Sequence, residues 1–205
     1  MMKRQNELNE KTIGESWHLK GLNFRRHVML EGAELMNSMK TKWWKDEKID
    51  VNNARLEVID MLHFALSIHI EEGHPNASVN RDYVLHIGSL KDVDGIDNND
   101  VLMEVEDTML ACLTIESGSE ILSKVFSLCG TLHMDDDDIL KLYLGKGVLN
   151  RFRQDHGYKD GSYEKMWNGE EDNVYMMHVI DDMVYDDNFE EELQNHLTYE
   201  YTMYV

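Results

Sequence analysis

Two pairs of acidic side chains, each with a spacing of three residues, interrupt otherwise apolar segments of the sequence. Glu31 and Glu34 lie in "VMLEGAELM", and Glu57 and Asp60 lie in "LEVIDMLHF". A spacing of three places both members of a pair on one face of an α-helix. If the two helices pack antiparallel, four carboxylates meet on one patch, which is unfavourable unless positive charge lies among them.

Divalent cations would supply that positive charge. Two such ions balance four carboxylates, and oxygen ligands without Cys or His favour Mg²⁺ or Mn²⁺ over zinc or copper. A di-iron centre usually takes Glu-x-x-His from core helices, and this spacing occurs only at predicted helix ends, at Glu15/His18 and Glu71/His74. In a simpler alternative the four acids face water and pair with neighbouring bases: Arg25, Arg26, Lys40 or Arg55.

A second segment, "GKGVLNRFRQDHGYKDGSYEKMW" at 145–167, is a basic part of the chain. It holds five bases against three acids: Lys146, Arg151, Arg153, Lys159 and Lys165 against Asp155, Asp160 and Glu164. Arginine binds phosphate oxygens in a bidentate way, and lysine supplies a point charge. The alternative is a helix end and a glycine-rich turn with ordinary surface bases. With the carboxylates, the segment indicates an enzyme that binds a polyphosphate through Mg²⁺, without a P-loop or GxSxG motif.

Charge and composition argue against several other classes of function. The 205 residues carry 40 acids and 20 bases, a net charge of −20, whereas a nucleic-acid surface needs clustered Lys and Arg. There is no run of 18 apolar residues and no signal-peptide core, so we expect no membrane segment. Cys112 and Cys129 lack zinc-ligand spacing and suit buried thiols in a reducing cytoplasm, that of the host cell if the protein is viral.

The apolar pattern predicts an all-α fold, a helical bundle formed as one domain over 1–205. A single proline in the chain suits long helices. Helical spacing runs over 22–39, from Val51 to a stop at Gly73, and again from about Asp100 to about Leu128.

Three further segments complete the predicted organisation. The periodicity fails over 75–97, which predicts a loop or a small mobile insertion. Asp135 to Asp138 are expected to cap the start of another helix, because a calcium loop would need a glycine and a final glutamate that are missing. The acidic tail from 170 onward keeps many apolar residues, which favours a helical face or a subunit contact over disorder.

Four stretches together resemble one known family. They are "LNEKTIGESW", "EGAELMNSMKTKWWK", "LEVIDMLHFALS" and "LGKGVLNRFRQDHGYKDGSYEKMWNGEEDN", and they are similar to motifs of the dimeric dUTPases. That family lies within the all-α nucleoside triphosphate pyrophosphatases, which also include phage dCTPases and MazG-type enzymes. The resemblance implies Mg²⁺-dependent hydrolysis of dUTP, and of dUDP, to dUMP by a homodimer.

The resemblance also implies roles for particular residues. Glu31, Glu34, Glu57 and Asp60 would bind two or more Mg²⁺ ions, or Mn²⁺, and Glu34 would also orient or deprotonate the attacking water. The residues expected to hold phosphates, sugar and base are Asn9, Trp17, Lys42, Lys146, Asn150, Arg153, Tyr158 and Lys159, with Asn9 and Trp17 near the base.

The chain departs from the family pattern at three positions. The family commonly has Asn at the place of Gly147, Trp at that of Thr41, and Gln at that of Asn6. Since excluding one methyl group gives only about 10- to 200-fold discrimination, and hydrogen bonding to one pyrimidine edge about 10⁴-fold, the orientation of amide groups decides uracil against cytosine. A dCTPase or a dual dCTP/dUTP pyrophosphatase therefore stays open. Outside the enzymes, an acidic helical interaction protein such as a DNA mimic would also explain the charge.

Overall fold

The computed structural model describes residues 1–46, 48–73 and 95–204. Within them the chain forms helices and one short hairpin, in agreement with the predicted all-α class. The helices are α1 Met2–Ile13, α2 Phe24–Ser38, α3 Val51–Glu71, α4 Asn98–Leu113, α5 Gly118–Thr131, α6 Asp136–Asp155, α7 Asp172–Asp182 and α8 Phe189–Tyr204, with a 3₁₀ turn at Trp17–Leu19 and strands β1 Met166–Trp167 and β2 Glu170–Glu171. The predicted insertion at 75–97 lies outside the described residues except for 95–97, which lead into α4.

Helices α2 and α3 form an antiparallel pair. At one end of the pair the Arg25 guanidinium lies 2.7 Å from the Glu72 carboxylate. At the other end the backbone N–H of Asp50 donates to the Ser38 carbonyl at 2.9 Å. The side chain of Asp50 also accepts from Asn53 N–H and so caps the start of α3. This packing is the arrangement on which a shared carboxylate patch depends.

Helix α3 is the central helix of the bundle. It contacts α1, α2, α5 and α6, and most of its side chains are buried, including polar Arg55, His63, Ser67 and His69. A helix surrounded by others is expected to be apolar on most faces, so these polar positions need specific partners. The Arg55 guanidinium, for example, donates to the Leu132 carbonyl at 3.0 Å.

The segment predicted as one helical stretch up to Leu128 is two helices. Helix α4 ends at Leu113, Ile115 adopts a positive φ of 59°, and α5 begins after Ser117. Ser117 and Glu120 form a capping box, in which each side chain accepts from the backbone N–H of the other. The Ser-x-x-Glu pattern of this capping box is present in the sequence. It was not recognised because the apolar periodicity continues on both sides of the break.

The predicted caps at the start of α6 are present. The Asp135 side chain accepts from Asp138 N–H at 2.8 Å, and the Asp138 side chain accepts from Asp135 N–H at 3.1 Å. Carboxylates are favourable at this end because the free N–H groups make it electropositive. The acidic run therefore caps a helix, as expected.

The segment after 158 packs onto α6 through aromatic rings. His156 stacks on Phe152 with ring centroids 3.9 Å apart, and Tyr201 of α8 meets both Phe152 and Trp167 edge-on. Trp167 and Phe189 are fully buried. The acidic tail thus forms two helices that pack against the bundle, which agrees with the prediction of a helical tail.

Two smaller expectations also concern the described residues. Cys112 and Cys129 are buried free thiols, and burial raises the pKa of Cys112 to about 11 and that of Cys129 to about 12. In the described part of the chain no helix combines the length and apolar character needed to cross a membrane.

Candidate active site

The carboxylates of Glu31, Glu57 and Asp60 meet between α2 and α3. One oxygen from each lies within 4.8 Å of the others. Oxygen ligands on opposite sides of Mg²⁺ or Ca²⁺ have bonds of about 2.0 to 2.6 Å, and so lie about 4 to 5 Å apart. The three oxygens are therefore spaced as ligands of one divalent cation would be.

Glu34, the fourth acid of the predicted set, lies one turn beyond Glu31 on α2. Its side chain is exposed, and it is outside the group of three whose oxygens meet. It is still close enough that its negative charge acts on both Glu31 and Glu57. The structure therefore brings three of the four predicted acids together and leaves the fourth at the solvent edge.

Burial and like charge make the clustered carboxylates hard to ionise. Burial, with the charges of Asp60, Glu34 and Glu57, raises the pKa of Glu31 to about 7. Burial and the charge of Asp60 raise the pKa of Glu57 to about 7 as well. Lys146 opposes both shifts. One cation alone thus leaves the cluster short of positive charge near neutral pH.

Lys146 is the predicted phosphate ligand that lies nearest the carboxylates. It stands on α6 and is almost completely buried, with its Nζ atom 2.7 Å from Asp60 Oδ2 and 3.2 Å from Asn173 Oδ1. A buried ammonium needs such partners, because an unpaired charge in the interior costs several kcal/mol. The lysine therefore links the carboxylate cluster to the start of α7.

Other predicted ligands continue along α6 and the turn after it. Asn150 and Arg153 follow Lys146 at helical spacing, so the three lie on one face. Arg153 donates to Asp172 at 2.8 and 2.7 Å, and its guanidinium lies 5.7 Å from the ring centre of Tyr158. Lys159 is exposed and donates to the Thr12 carbonyl at 2.6 Å, which ties this turn to α1.

Lys42 lies in the connection between α2 and α3. Its side chain is half-buried, and the two tryptophans that follow, Trp43 and Trp44, are exposed and contact each other edge-on. This connection joins the C-terminal end of α2 to the start of α3. The structure therefore places Lys42 and two exposed aromatic rings at one end of the α2–α3 pair.

The two residues predicted near the base are buried within the protein. The Asn9 amide accepts from Gln5 Nε2 at 3.0 Å and donates to Ser67 Oγ at 2.9 Å. Trp17 is 1% exposed and donates from its indole N–H to Asn6 Oδ1 at 3.0 Å. Asn6 is one of the positions at which the chain departs from the family pattern. Its side-chain oxygen accepts the hydrogen bond from Trp17.

Asn9 belongs to a buried polar cluster that the sequence interpretation missed. Gln5 Oε1 lies 2.7 Å from His63 Nδ1 and accepts from the Tyr143 hydroxyl at 3.2 Å. The His63 and Tyr143 rings stack with centroids 4.5 Å apart, and burial lowers the pKa of His63 to about 4. His63 follows Asp60 by three residues, a signal of a shared face that the interpretation did not use.

His63 has an open hydrogen-bonding position. Its Nε2 atom has no hydrogen-bond partner within the described residues. A neutral imidazole must present one donor and one acceptor, so a buried nitrogen without a partner is unfavourable by about 1 to 3 kcal/mol. The ring thus leaves one buried nitrogen, one turn from the carboxylates, for which the described residues supply no partner.

The fold and these contacts define a class: a helical protein that gathers carboxylates of two adjacent helices beside buried cations. A family model described as dUTPase matches residues 1–158, which is more than three quarters of the chain and includes all four acids predicted to bind metal. The chain therefore belongs to the dUTPase family, of the all-α NTP pyrophosphatase type, and is a dUTP diphosphatase. A comparison with curated proteins gave no match.

Family membership decides between two of the alternatives raised by the sequence. A non-catalytic acidic helical protein would explain the net charge, but the family is one of hydrolases. Its members generally depend on a divalent metal and act on a nucleotide substrate. Family membership does not fix the identity of the metal, or activity on dUDP and on other pyrimidine nucleotides.

Proposed function

We propose that the protein hydrolyses dUTP, and also dUDP, to dUMP with Mg²⁺ bound at the carboxylates of α2 and α3. The observation that carries this proposal is the meeting of three carboxylate oxygens within 4.8 Å next to the buried ammonium of Lys146. Anionic ligands for a metal and cationic ligands for a phosphate thus lie side by side. A metal-bound polyphosphate is the kind of substrate that uses both.

The donor set fits a hard divalent cation. All three donors are carboxylate oxygens, which suits Mg²⁺ or Mn²⁺, and the raised pKa values of Glu31 and Glu57 reflect a shortage of positive charge. Glu31, Glu57 and Asp60 would hold one ion, and Glu34 would take part in holding a second. Bound there, the ions would polarise phosphate oxygens and neutralise the charge that develops on them.

Glu34 is the proposed group that orients or deprotonates the attacking water. It lies on the same face of α2 as Glu31, and its carboxylate is exposed to solvent, so water can reach it. The water oxygen bonds to phosphorus, the bridge between the α and β phosphates breaks, and the proton passes to the carboxylate. The products are dUMP and pyrophosphate.

The remaining proposed ligands lie on α6, on the turn after it and in the connection after α2. Lys146, Asn150 and Arg153 present one face of α6 to phosphates and sugar, and Tyr158 and Lys159 follow on the next turn. Lys42 approaches from the connection after α2. This arrangement supports binding of a triphosphate chain that runs from the carboxylates along α6.

For the base, we propose the buried polar cluster around Asn9 together with Trp17. Asn9, Gln5 and His63 offer amide and imidazole groups that can pair with a pyrimidine edge, and such pairing can discriminate about 10⁴-fold against a base with the wrong donors and acceptors. A dCTPase or a dual enzyme remains the alternative within the same site, because an amide turned by 180° exchanges donor and acceptor.

At the level of the whole chain, we propose a single domain that works as a homodimer. Helices from both ends of the chain contribute to one hydrophobic core, which supports a single domain. The homodimer is a property implied by the family motifs. Exposed Met103, Leu110 and Leu113 on α4 supply an apolar stripe for a subunit contact.

A substrate panel with matched variants tests the proposed reaction. We expect the protein with Mg²⁺ to release pyrophosphate and dUMP from dUTP, and to act more slowly on dCTP and dTTP. Replacing Glu57→Gln should lower turnover by about 100-fold or more, because it removes a proposed metal ligand. The same change at exposed Glu106 on α4 should leave turnover as it is. Absence of dUMP formation by the unaltered protein would contradict the proposal.

A further inference from the structure

The start of α7 provides the partners of the two buried cations on α6. We propose that Asn173 is a positioning residue that holds Lys146 and Arg153 together, so that both cations meet one phosphate group of the substrate, while Asp172 fixes the far side of Arg153. This inference rests on the proposed function, since it assigns these cations to a phosphate. Both residues lie beyond the residues 1–158 that the family model matches, at the end of the fourth stretch that resembles the family's motifs.

Asp172 anchors Arg153 by a bidentate ion pair. The carboxylate is fully buried and accepts from Arg153 Nε at 2.8 Å and Nη2 at 2.7 Å. It also accepts from the Tyr163 hydroxyl and from Asn173 N–H, each at 2.8 Å. Such a planar two-bond pair fixes the guanidinium in both position and orientation.

Asn173 then joins the two cations. Its side-chain oxygen accepts from Lys146 Nζ at 3.2 Å and from Arg153 Nη2 at 3.3 Å. Two positive charges repel each other at such short separation, and a shared acceptor between them offsets part of that repulsion. An amide does this without neutralising either charge.

Both cations keep donors for an anion. An ammonium has three N–H donors and a guanidinium five. In the described part of the chain, Lys146 uses two of its donors, on Asp60 and Asn173. Arg153 uses Nε and Nη2 on Asp172 and Asn173, and it also interacts with the Tyr163 hydroxyl. One N–H of Lys146 and the Nη1 group of Arg153 are left to bind a phosphate oxygen.

The contacts form a continuous path from the carboxylate cluster to α7. Asp60 holds Lys146, Asn173 holds Lys146 and Arg153, and Asp172 holds Arg153. The amide oxygen therefore sets the distance between the proposed metal ligands and the second phosphate-binding cation. Moving Asn173 would misplace the cations without removing either of them.

The test compares Asn173→Ala with the unaltered protein on dUTP and Mg²⁺. Loss of the shared acceptor should raise KM about 10-fold, because two charge-assisted hydrogen bonds that orient the cations are lost. The turnover number should fall less than threefold, since the carboxylates are untouched. The dissociation constant of the non-hydrolysable analogue α,β-imido-dUTP, measured by calorimetry with Mg²⁺, should rise by a similar factor.

Two further variants separate positioning from a structural role. Asn173→Asp keeps the acceptor but adds a negative charge beside the phosphate, so it should keep the melting temperature and still raise KM. Asn188→Ala, the same truncation just before α8, should leave both KM and turnover unchanged. Asn173→Ala with unchanged KM, or with a lowered melting temperature and no change in analogue binding, would overturn the inference. If the unaltered protein did not turn over dUTP, the proposed function itself would fail.

Discussion

At the scale of single residues, the site is a set of carboxylates that compete for too little positive charge. Lys146 is committed to Asp60, whereas Glu31 and Glu57 have pKa values raised to about 7. A hydrogen bond from Asn53 to Glu57 at 3.0 Å offsets only part of this. We therefore expect a divalent cation to stabilise the fold as well as to enable the reaction.

The stabilisation by Mg²⁺ should depend on pH in a defined direction. The folded-state pKa of Glu31 and Glu57 lies above the ordinary value of 4.5, so the folded protein loses stability as pH rises from about 4.5 to about 7 and these groups ionise. Mg²⁺ would remove that loss. The rise in melting temperature on adding Mg²⁺ should therefore be larger at about pH 8 than at about pH 5.5.

The comparison with and without Mg²⁺ at each pH also controls for other titrating groups. The pKa of His63 is lowered to about 4, so the fold loses stability as pH falls and His63 is protonated. This loss occurs both with and without Mg²⁺. In a Glu31→Gln, Glu57→Gln double variant the pH-dependent gain should disappear. An equal gain at both pH values in the unaltered protein would count against the carboxylate cluster as the metal site.

At the scale of elements, the approach of α7 to α6 depends on Gly145. A Cβ atom at Gly145 would lie 2.2 Å from Ile180 Cδ1, whereas one at Gly147 would have its nearest neighbour, Arg151 Nη1, at 3.7 Å. Ile180 is 1% exposed, so its side chain would have to shift within the packed core. Gly145 is therefore required for the close approach of α7, whereas Gly147, two residues further on, has room for a side-chain methyl group.

Alanine substitutions at the two glycines should have opposite effects on stability. Gly145→Ala is expected to lower the free energy of unfolding by about 1 to 3 kcal/mol through overpacking. Gly147→Ala should raise it by about 0.5 to 1 kcal/mol, because it reduces the entropy of the unfolded chain without a clash. Urea unfolding of both variants measures this, and an unchanged Gly145→Ala would show that α7 does not pack tightly on α6.

Much at the element scale could be predicted from the sequence, because local rules govern it. The Asp135–Asp138 cap and the stop at Gly73, which has a φ of +88°, follow from residue types alone. The break at Ser117 was missed because apolar spacing continued across it. Carboxylates at a spacing of three indicated the site, but the Asn173 contacts join α6 to α7 and have no signal in local spacing.

The buried polar cluster shows the same limit. Gln5 and Ser67 are 62 residues apart and meet only because α1 packs on α3. Each residue alone is typical of a helix surface, so a single sequence gives no reason to expect burial. Long-range polar contacts of this kind need the packed structure to be recognised.

At the scale of the whole molecule, a net charge of −20 opposes association except where charges are few. If the protein forms the proposed homodimer, sedimentation equilibrium should give a mass of about twice the 24.0 kDa of one chain. A Leu110→Glu, Leu113→Glu variant should sediment closer to a monomer, because it places charge on the apolar stripe of α4. Tyr199→Glu, at an exposed position on α8, is the control, and a monomeric unaltered protein would exclude the dimer.

The central claim is that carboxylates from two adjacent helices bind a divalent cation for hydrolysis of a nucleotide. Anomalous diffraction from crystals grown with Mn²⁺ and α,β-imido-dUTP tests it most directly. We predict a metal peak between Glu31, Glu57 and Asp60, within about 2.0 to 2.6 Å of their oxygens, with the phosphates beside Lys146. A fully bound nucleotide with no metal peak at these three side chains would contradict the account.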